Sequence, residues 1–581
     1  MAEVLISPGV LARENDQTFL QGQPIQAGAA IVGPTVKGPV GIPTLVTTYS
    51  EYQNKFGTVV ESGSAEYTYL TSISAYNYFQ QGGDSLLVTR VVSGSYTSAT
   101  STTVDNGDDA NAFTLRTLSE GIIMNNSGSD GTNNTLSGGT RDNVRWEVVQ
   151  PNTSTGTFSL LIRRGNDTSK DKTILETWAN VSLDPNSNDY IEKVIGNSKQ
   201  TVTVDGTEYY VKNEGTFLNR SNYVYVDSVA TPTLNYFDNN GTAKTAFTSS
   251  IPVACSGAFD SATGTPFSNV NSPALFYETL SDTNTQGFDS AALGSSDNGS
   301  YAVAFNLLAN QDDYQYNLIS SPGLIKGNAT ATSELTTMVD NAQTRGDNLA
   351  IVDLVNWNSG ISTVTAGAAA IDSSYAATYW PWVQTIDPDL NKTVWVPAST
   401  MIPGVYAFND RAGEPWFAPA GLNRGGMDTV VRAERKLTNG NRNTLYTNNV
   451  NPIATFPNNG VVVFGQKTLQ KKASALDRVN VRRLLIELKN FISQIADNLV
   501  FEQNTAATRN NFLTQVNPYL SSVQQRQGLF AFKVVMDDSN NTPDVIDRNQ
   551  MVGQIFIQPT RTAEFIYLDF NILPTGATFP S

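Results

Sequence analysis

Glu414-Pro415-Trp416-Phe417-Ala418-Pro419-Ala420-Gly421-Leu422-Asn423-Arg424-Gly425 is a stretch with neither a helical nor a strand period. Two prolines, two glycines and two aromatics share its twelve residues. Pro and Gly set backbone angles that regular elements avoid, while aromatic rings supply large apolar area. The composition therefore predicts a fixed, irregular loop packed under its rings, not a flexible linker. Trp416, Pro419, Asn423 and Arg424 are the residues expected to hold its shape.

Downstream, apolar residues recur at helical spacing. Leu484, Leu488, Ile495 and Leu499 predict a helix over about 477–501, and Phe512, Val516, Leu520 and Val523 a second over about 506–526. Pro518 should bend the second and Gly528 end it. Strands are expected at 530–536 and 552–558. In the final segment, 564–572, Ile566, Leu568 and Phe570 alternate strictly, so they face one way and suit pairing with the edge of a sheet. The first of these helices is entered through a basic segment. Residues 466–489 carry seven Lys and Arg against Asp477 and Glu487, a local charge of +5. Two readings are open: docking against an acidic surface, with Arg482 and Arg483 as the contact residues, or an ordinary solvated helix face.

Upstream, 301–380 reads as α/β, with a strand ending in a turn at Pro322-Gly323, a helix over 332–345, a buried strand over 349–355 and another strand at 394–397. Residues 27–92 show the same alternation. A strand at 45–49 precedes a short helix closed by Gly57, then a helix over 65–81 and an apolar strand over 86–92. Residues 93–300 between them are rich in Ser, Thr, Asn, Asp and Gly. Short strands bracket turns there, and Asp205-Gly206 is a strong hairpin signal. At the front, Val4-Leu5-Ile6 is a short β-prone run in otherwise Gln-, Gly- and Pro-rich sequence. It reads either as an arm needing a partner to bury it or as a disordered tail. The expected organisation is α+β and multidomain: an extended arm over 1–24, a middle α/β domain from 25–92 and 301–380, β-rich outward insertion over 93–300, a C-terminal core over 381–562 and a strand arm over 563–581.

Composition excludes several function classes. The 581 residues are too many for one core. Histidine is absent, which removes the commonest general base and metal ligand. Cys255 is the single cysteine, so neither an internal disulfide nor a thiolate metal cluster is expected, and it reads as a small buried residue. Asp105, Asp108 and Asp109 lack calcium-loop spacing, and the acid pairs Asp312-Asp313 and Asp537-Asp538 are neighbours in turn-like sequence, not two acids facing a cleft. No catalytic, cofactor or metal site is expected. The formal charge of −16 argues against nucleic acid as the main partner. That charge is uneven: residues 1–380 hold 18 basic and 37 acidic side chains, the rest 19 and 16. The split fits head-to-side packing of copies or an acidic solvated exterior. No leader or membrane span is read from the sequence, and assembly in the cytoplasm is expected.

Several blocks in order resemble the sheath proteins of contractile phage tails and related injection systems. They are Ser7-Pro8-Gly9-Val10, Gly28 to Gly33, Tyr76 to Gly83 with Val88 to Val91, Pro403-Gly404-Val405-Tyr406-Ala407, the Trp416 loop, Val479 to Leu484, Phe501-Glu502-Gln503-Asn504 and Ala563-Glu564-Phe565-Ile566. Gln503 falls where many relatives have Pro. The resemblance implies a structural subunit and not an enzyme. It implies six-membered rings stacked around a tail tube, with baseplate and tail-terminator proteins as further partners and no membrane insertion. It also implies arms from neighbours adding strands to a core sheet, and irreversible shortening of the assembly. A static virion protein that self-associates without contracting is the alternative.

Overall fold

The computed structural model describes residues 25–62, 65–126, 135–264, 280, 286 and 299–567. Its centre is a six-stranded sheet in the order Ala376–Ala377, Leu349–Asp353, Leu318–Ile325, Ala29–Gly33, Leu86–Arg90, Thr44–Val46. All neighbours are parallel except Thr44–Val46, which runs antiparallel at the edge. Strands covered on both faces must be apolar throughout, which is why these read as continuous apolar runs without alternation. Ala29–Gly33, Leu86–Arg90 and Leu349–Asp353 are indeed buried at every position. Helices Leu70–Gln80, Ala329–Arg345 and Ile361–Ala369 lie between successive parallel strands as crossovers. The sheet thus joins strands from both sides of 93–300.

Two expectations in this region are corrected. The helix expected over 65–81 begins only at Leu70; Ala65–Thr68 is a strand paired with Val59–Ser62. Tyr67-Thr68-Tyr69 is aromatic and β-branched, and Tyr69 is buried with Val36 and Val60, so packing favours extended backbone there. The turn expected at Pro322-Gly323 is instead a bulge. The strand runs through to Ile325, with a register shift between Ser320 and Ile325 and Gly323 at φ +92°.

Residues 98–260 contain two four-stranded antiparallel sheets around one apolar cluster. Phe113 of one sheet stacks on Phe158 of the other at 5.6 Å. The hairpin Lys199–Asp205/Glu208–Glu214 turns at Asp205-Gly206. Cys255, expected to be buried, is only half-buried. Two buried cations tie this unit to the central sheet. Arg90 donates to the carbonyls of Gly38 at 2.6 Å and Glu120 at 2.8 Å, and Lys37 lies 3.7 Å from Asp142.

The C-terminal part ends in a separate apolar cluster. Helices Val479–Asp497 and Ala506–Gln525 pack on the hairpin Leu529–Val535/Gln554–Pro559. Pro518 sits inside the second helix, which continues past it to Gln525, and the N–H of Gly528 closes on Val523. No strand forms over Glu564 to Tyr567 within the single chain. Leu568 and Phe570, like Val4, Leu5 and Ile6, lie outside the described residues.

Candidate assembly interface

The loop 414–425 is fixed by bonds along its length. An irregular backbone beneath side chains must satisfy its polar groups locally. The Phe417 N–H donates to Glu414 O at 2.9 Å, Gly421 to Val463 O at 2.8 Å and Gly425 to Gly421 O at 2.8 Å, while Val463 donates back to Gly425 O at 2.8 Å. Asn409 Nδ2 adds bonds to the carbonyls of Glu414 at 3.2 Å and Phe417 at 3.3 Å. Gly421 has φ +85°, and a Cβ on Gly425 would stand 2.5 Å from Val463 O, so both glycines are required. Trp416 is buried against Leu484, Val523 and Leu529, and its Nε1 donates to Arg526 O at 3.1 Å. Arg526 covers the ring at 4.9 Å and bonds both Glu414 oxygens at 3.0 Å. Pro419 is buried, Asn423 is exposed, and the Arg424 guanidinium lies 4.8 Å from the Phe417 ring. The loop is a clamp between helix Ile402–Ala412, strand Gly460–Val463 and the C-terminal cluster.

Arg482 and Arg483 are not on a solvated face. Each is 4% exposed. The first turn of Val479–Asp497 is buried almost all round, so both guanidinia point into the protein, where they need internal partners. Arg483 makes a bidentate pair with Asp410 at 2.9 and 2.5 Å and lies 4.9 Å from the Tyr406 ring. Burial alone would lower its pKa; the Asp410 carboxylate outweighs that and raises it. Arg482 stacks 3.9 Å from the Tyr375 ring centroid and bonds Ser374 Oγ; burial lowers its pKa. These residues bolt the helix to the core of their own subunit. Asp410 lies 73 residues from Arg483, and no local pattern could have named it.

Residues 561–565 form a strap over the same helix N-terminus. Glu564 accepts two bonds from Arg478 at 2.7 and 3.0 Å, one from Gln466 at 3.0 Å and one from Tyr446 at 2.8 Å. Burial would raise its pKa, but the bonds from Arg478, Gln466 and Tyr446 leave it lowered. Just beyond the strap, Phe565, Ile566 and Tyr567 are 69%, 76% and 88% exposed. Nearby, Leu529–Val535 and Gln554–Pro559 form a two-stranded sheet, so each has one edge unpaired among the described residues. Phe530 and Phe556 stand exposed on this hairpin. Open strand edges beside exposed apolar side chains are built for association.

Among the described residues no group of three or more His, Cys, Asp or Glu could hold a metal ion, and no helix is long and apolar enough to cross a membrane. What the geometry offers is attachment: rigid joints within the chain and strand edges unpaired among the described residues.

Comparison with known proteins agrees. Residues 296–469 match the family model of the phage tail sheath protein central domain, and 471–573 that of the phage tail sheath C-terminal domain. Together the two matches cover just under half of the chain. The tail sheath protein of Vibrio phage KVP40 is 37% identical over 235 residues, 40% of this chain and 35% of that protein. The tail sheath protein of Enterobacteria phage T4 is 36% identical over 230 residues, with the same shares. The chain spans about a third of the length of these relatives. The crystal structure of a sheath tail protein from Listeria innocua shares the fold over 92% of this chain and 95% of its own, with a TM-score of 0.51 at 9% identity.

Proposed function

We propose that the chain is the structural subunit of a contractile tail sheath. Copies polymerise as stacked six-membered rings around a tail tube and shorten to drive the tube through a host envelope. The family match over 296–573, which contains the open-edged hairpin and the strap, is the observation that carries this reading. Arms 1–24 and 563–581 pair with sheet edges of neighbours through Val4, Leu5 and Ile6 at one end and Ile566, Leu568 and Phe570 at the other. The α/β part from 25–92 and 301–380 and the C-terminal part 381–562 act as rigid bodies, and 93–300 faces outward. Arg482 and Arg483 serve by keeping each subunit rigid while subunits repack. The tube, baseplate and terminator proteins are its partners, the virion tail is its place after assembly in the host cytoplasm, and it catalyses no reaction.

The physics is that of a trapped state. A gain of roughly 1–2 kcal/mol per subunit, the scale of one or two net hydrogen bonds, becomes large when summed over many rings. Electron microscopy of the purified chain tests the reading. Tubes of stacked six-fold rings, lost when residues 1–20 are deleted, are expected. Closed shells or unrelated fibres would overturn it in favour of a static virion protein.

A further inference from the structure

The turn joining helices Val479–Asp497 and Ala506–Gln525 carries a side chain that its own chain gives no reason to keep. Phe501 is 101% exposed and sits at φ +71°, in the left-handed region that a bulky residue occupies only under strain. The turn itself is ordered, since Val500 N–H bonds Asp497 O at 3.3 Å and Glu502 N–H bonds Leu499 O at 3.1 Å. Glycine would satisfy that backbone without strain. Val500 beside it is 60% exposed. Strain and solvent-facing apolar area at one ordered point are the marks of a contact residue.

A matching recess lies at the other end of the same helix. A cavity of about 250 Å³ opens beside the Trp416 loop, lined by Ala418, Ala420, Pro452 and Phe464, with Arg442 and Tyr446 at its wall. It abuts Gln466 and Glu564, the latter held by Arg478 immediately before the helix. The 19-residue helix separates turn and recess by about 28 Å, so the turn cannot fill the recess of its own chain. The charges are complementary. Asp497 and Glu502 flank the turn, whereas Arg442, lying over the Phe456 and Phe464 rings, has no acidic partner among the described residues, and Glu564 shares Arg478 with Asp477.

We propose that Val500 and Phe501 of one copy seat in the Ala418–Phe464 recess of a second copy of this chain, with Glu502 against Arg442. A knob and a hole at opposite ends of one rigid helix make a head-to-tail contact, which propagates as a ring or a helix and does not close as a dimer. The inference rests on the self-assembly proposed above.

The test measures the critical concentration for polymer formation, by sedimentation and microscopy, for the full chain and four variants. F501G relieves the strain, so it is expected to raise the melting temperature of the unassembled chain while raising the critical concentration about tenfold or more, as loss of an anchor residue does. R442E is expected to weaken assembly, E502R likewise, and the double variant R442E/E502R to restore it. Wild-type tubes with F501G assembling equally well, or charge reversals that do not rescue each other, would overturn the knob while leaving the sheath reading intact. Failure of the wild-type chain to form any polymer, with or without tube protein, would overturn both. F501G tubes that assemble normally but no longer retain the tube protein would mean the turn contacts the tube, which also overturns the proposal.

Discussion

Replacing Arg483 by Met should loosen helix Val479–Asp497 from the core in a way a surface ion pair could not. Arg483 is 4% exposed on its side chain and Asp410 34%. Removing one partner of a fully buried pair costs about 3–5 kcal/mol, because the orphaned charge is left without solvent. Asp410 can still be reached by water, so the expected cost of R483M falls to about 2–3 kcal/mol. D410N strands the charge of the buried guanidinium beside a neutral acceptor and should cost more, about 3–5 kcal/mol. The double variant R483M/D410N carries no stranded charge, so it should cost less than the two singles together, with a coupling of about 1.5–2 kcal/mol. A chain of this size need not unfold in one step, so the assay is native-state hydrogen exchange of the amides in 479–497, which reads the local opening free energy. A coupling below about 0.5 kcal/mol, the level of exposed pairs, would refute the claim that this pair bolts the helix to the core.

Three further outcomes follow from the geometry. Trp416→Ala should destabilise the C-terminal cluster by about 3–5 kcal/mol, as large-to-small changes in a core do, and expose 506–525 to early proteolysis; unchanged cleavage would count against the clamp. Asp353, fully buried at the end of its strand, is pushed up to about 7 by burial, against two opposing bonds from Ser399. A carboxyl with a raised folded pKa binds more protons folded than unfolded, so its contribution is greatest below about 3.8 and falls as pH rises towards about 7, by at most about 4 kcal/mol. D353N, whose amide can serve both Ser399 bonds, should flatten that part of the stability–pH curve in chemical denaturation, and an unchanged slope would refute the assignment. Glu564 is the opposite case. Its lowered pKa means the strap is held at neutral pH and released as pH falls below the ordinary glutamate range, whereas E564Q should weaken it throughout; exchange of amides 561–567 against pH reads both.

Much of this chain was legible in one dimension because its signals are local. The two C-terminal helices show their apolar stripes, the Asp205-Gly206 hairpin its turn residues, and the 414–425 loop its prolines and glycines. Where a local preference competes with packing, packing wins. The segment 65–81 reads as one helix, yet burial of Tyr69 with Val36 and Val60 holds Ala65–Thr68 extended. Pro322-Gly323 reads as a turn, but the sheet keeps the strand and folds the pair into a bulge.

The sequence by itself determined the element types, the absence of histidine chemistry and the break in character at 93–300, since composition and periodicity need no partner to be seen. Only the tertiary structure decided where charge goes. From spacing alone Arg482 and Arg483 read either as docking contacts or as a solvated basic face, because sequence spacing cannot say which side of a helix end is covered. The fold wraps the first turn of that helix on all sides, and a buried guanidinium must then find an acid or a ring within its own subunit. Asp410, Tyr375 and Glu564 lie 73, 107 and 86 residues from Arg483, Arg482 and Arg478, so the pairing exists only once the chain has closed on itself.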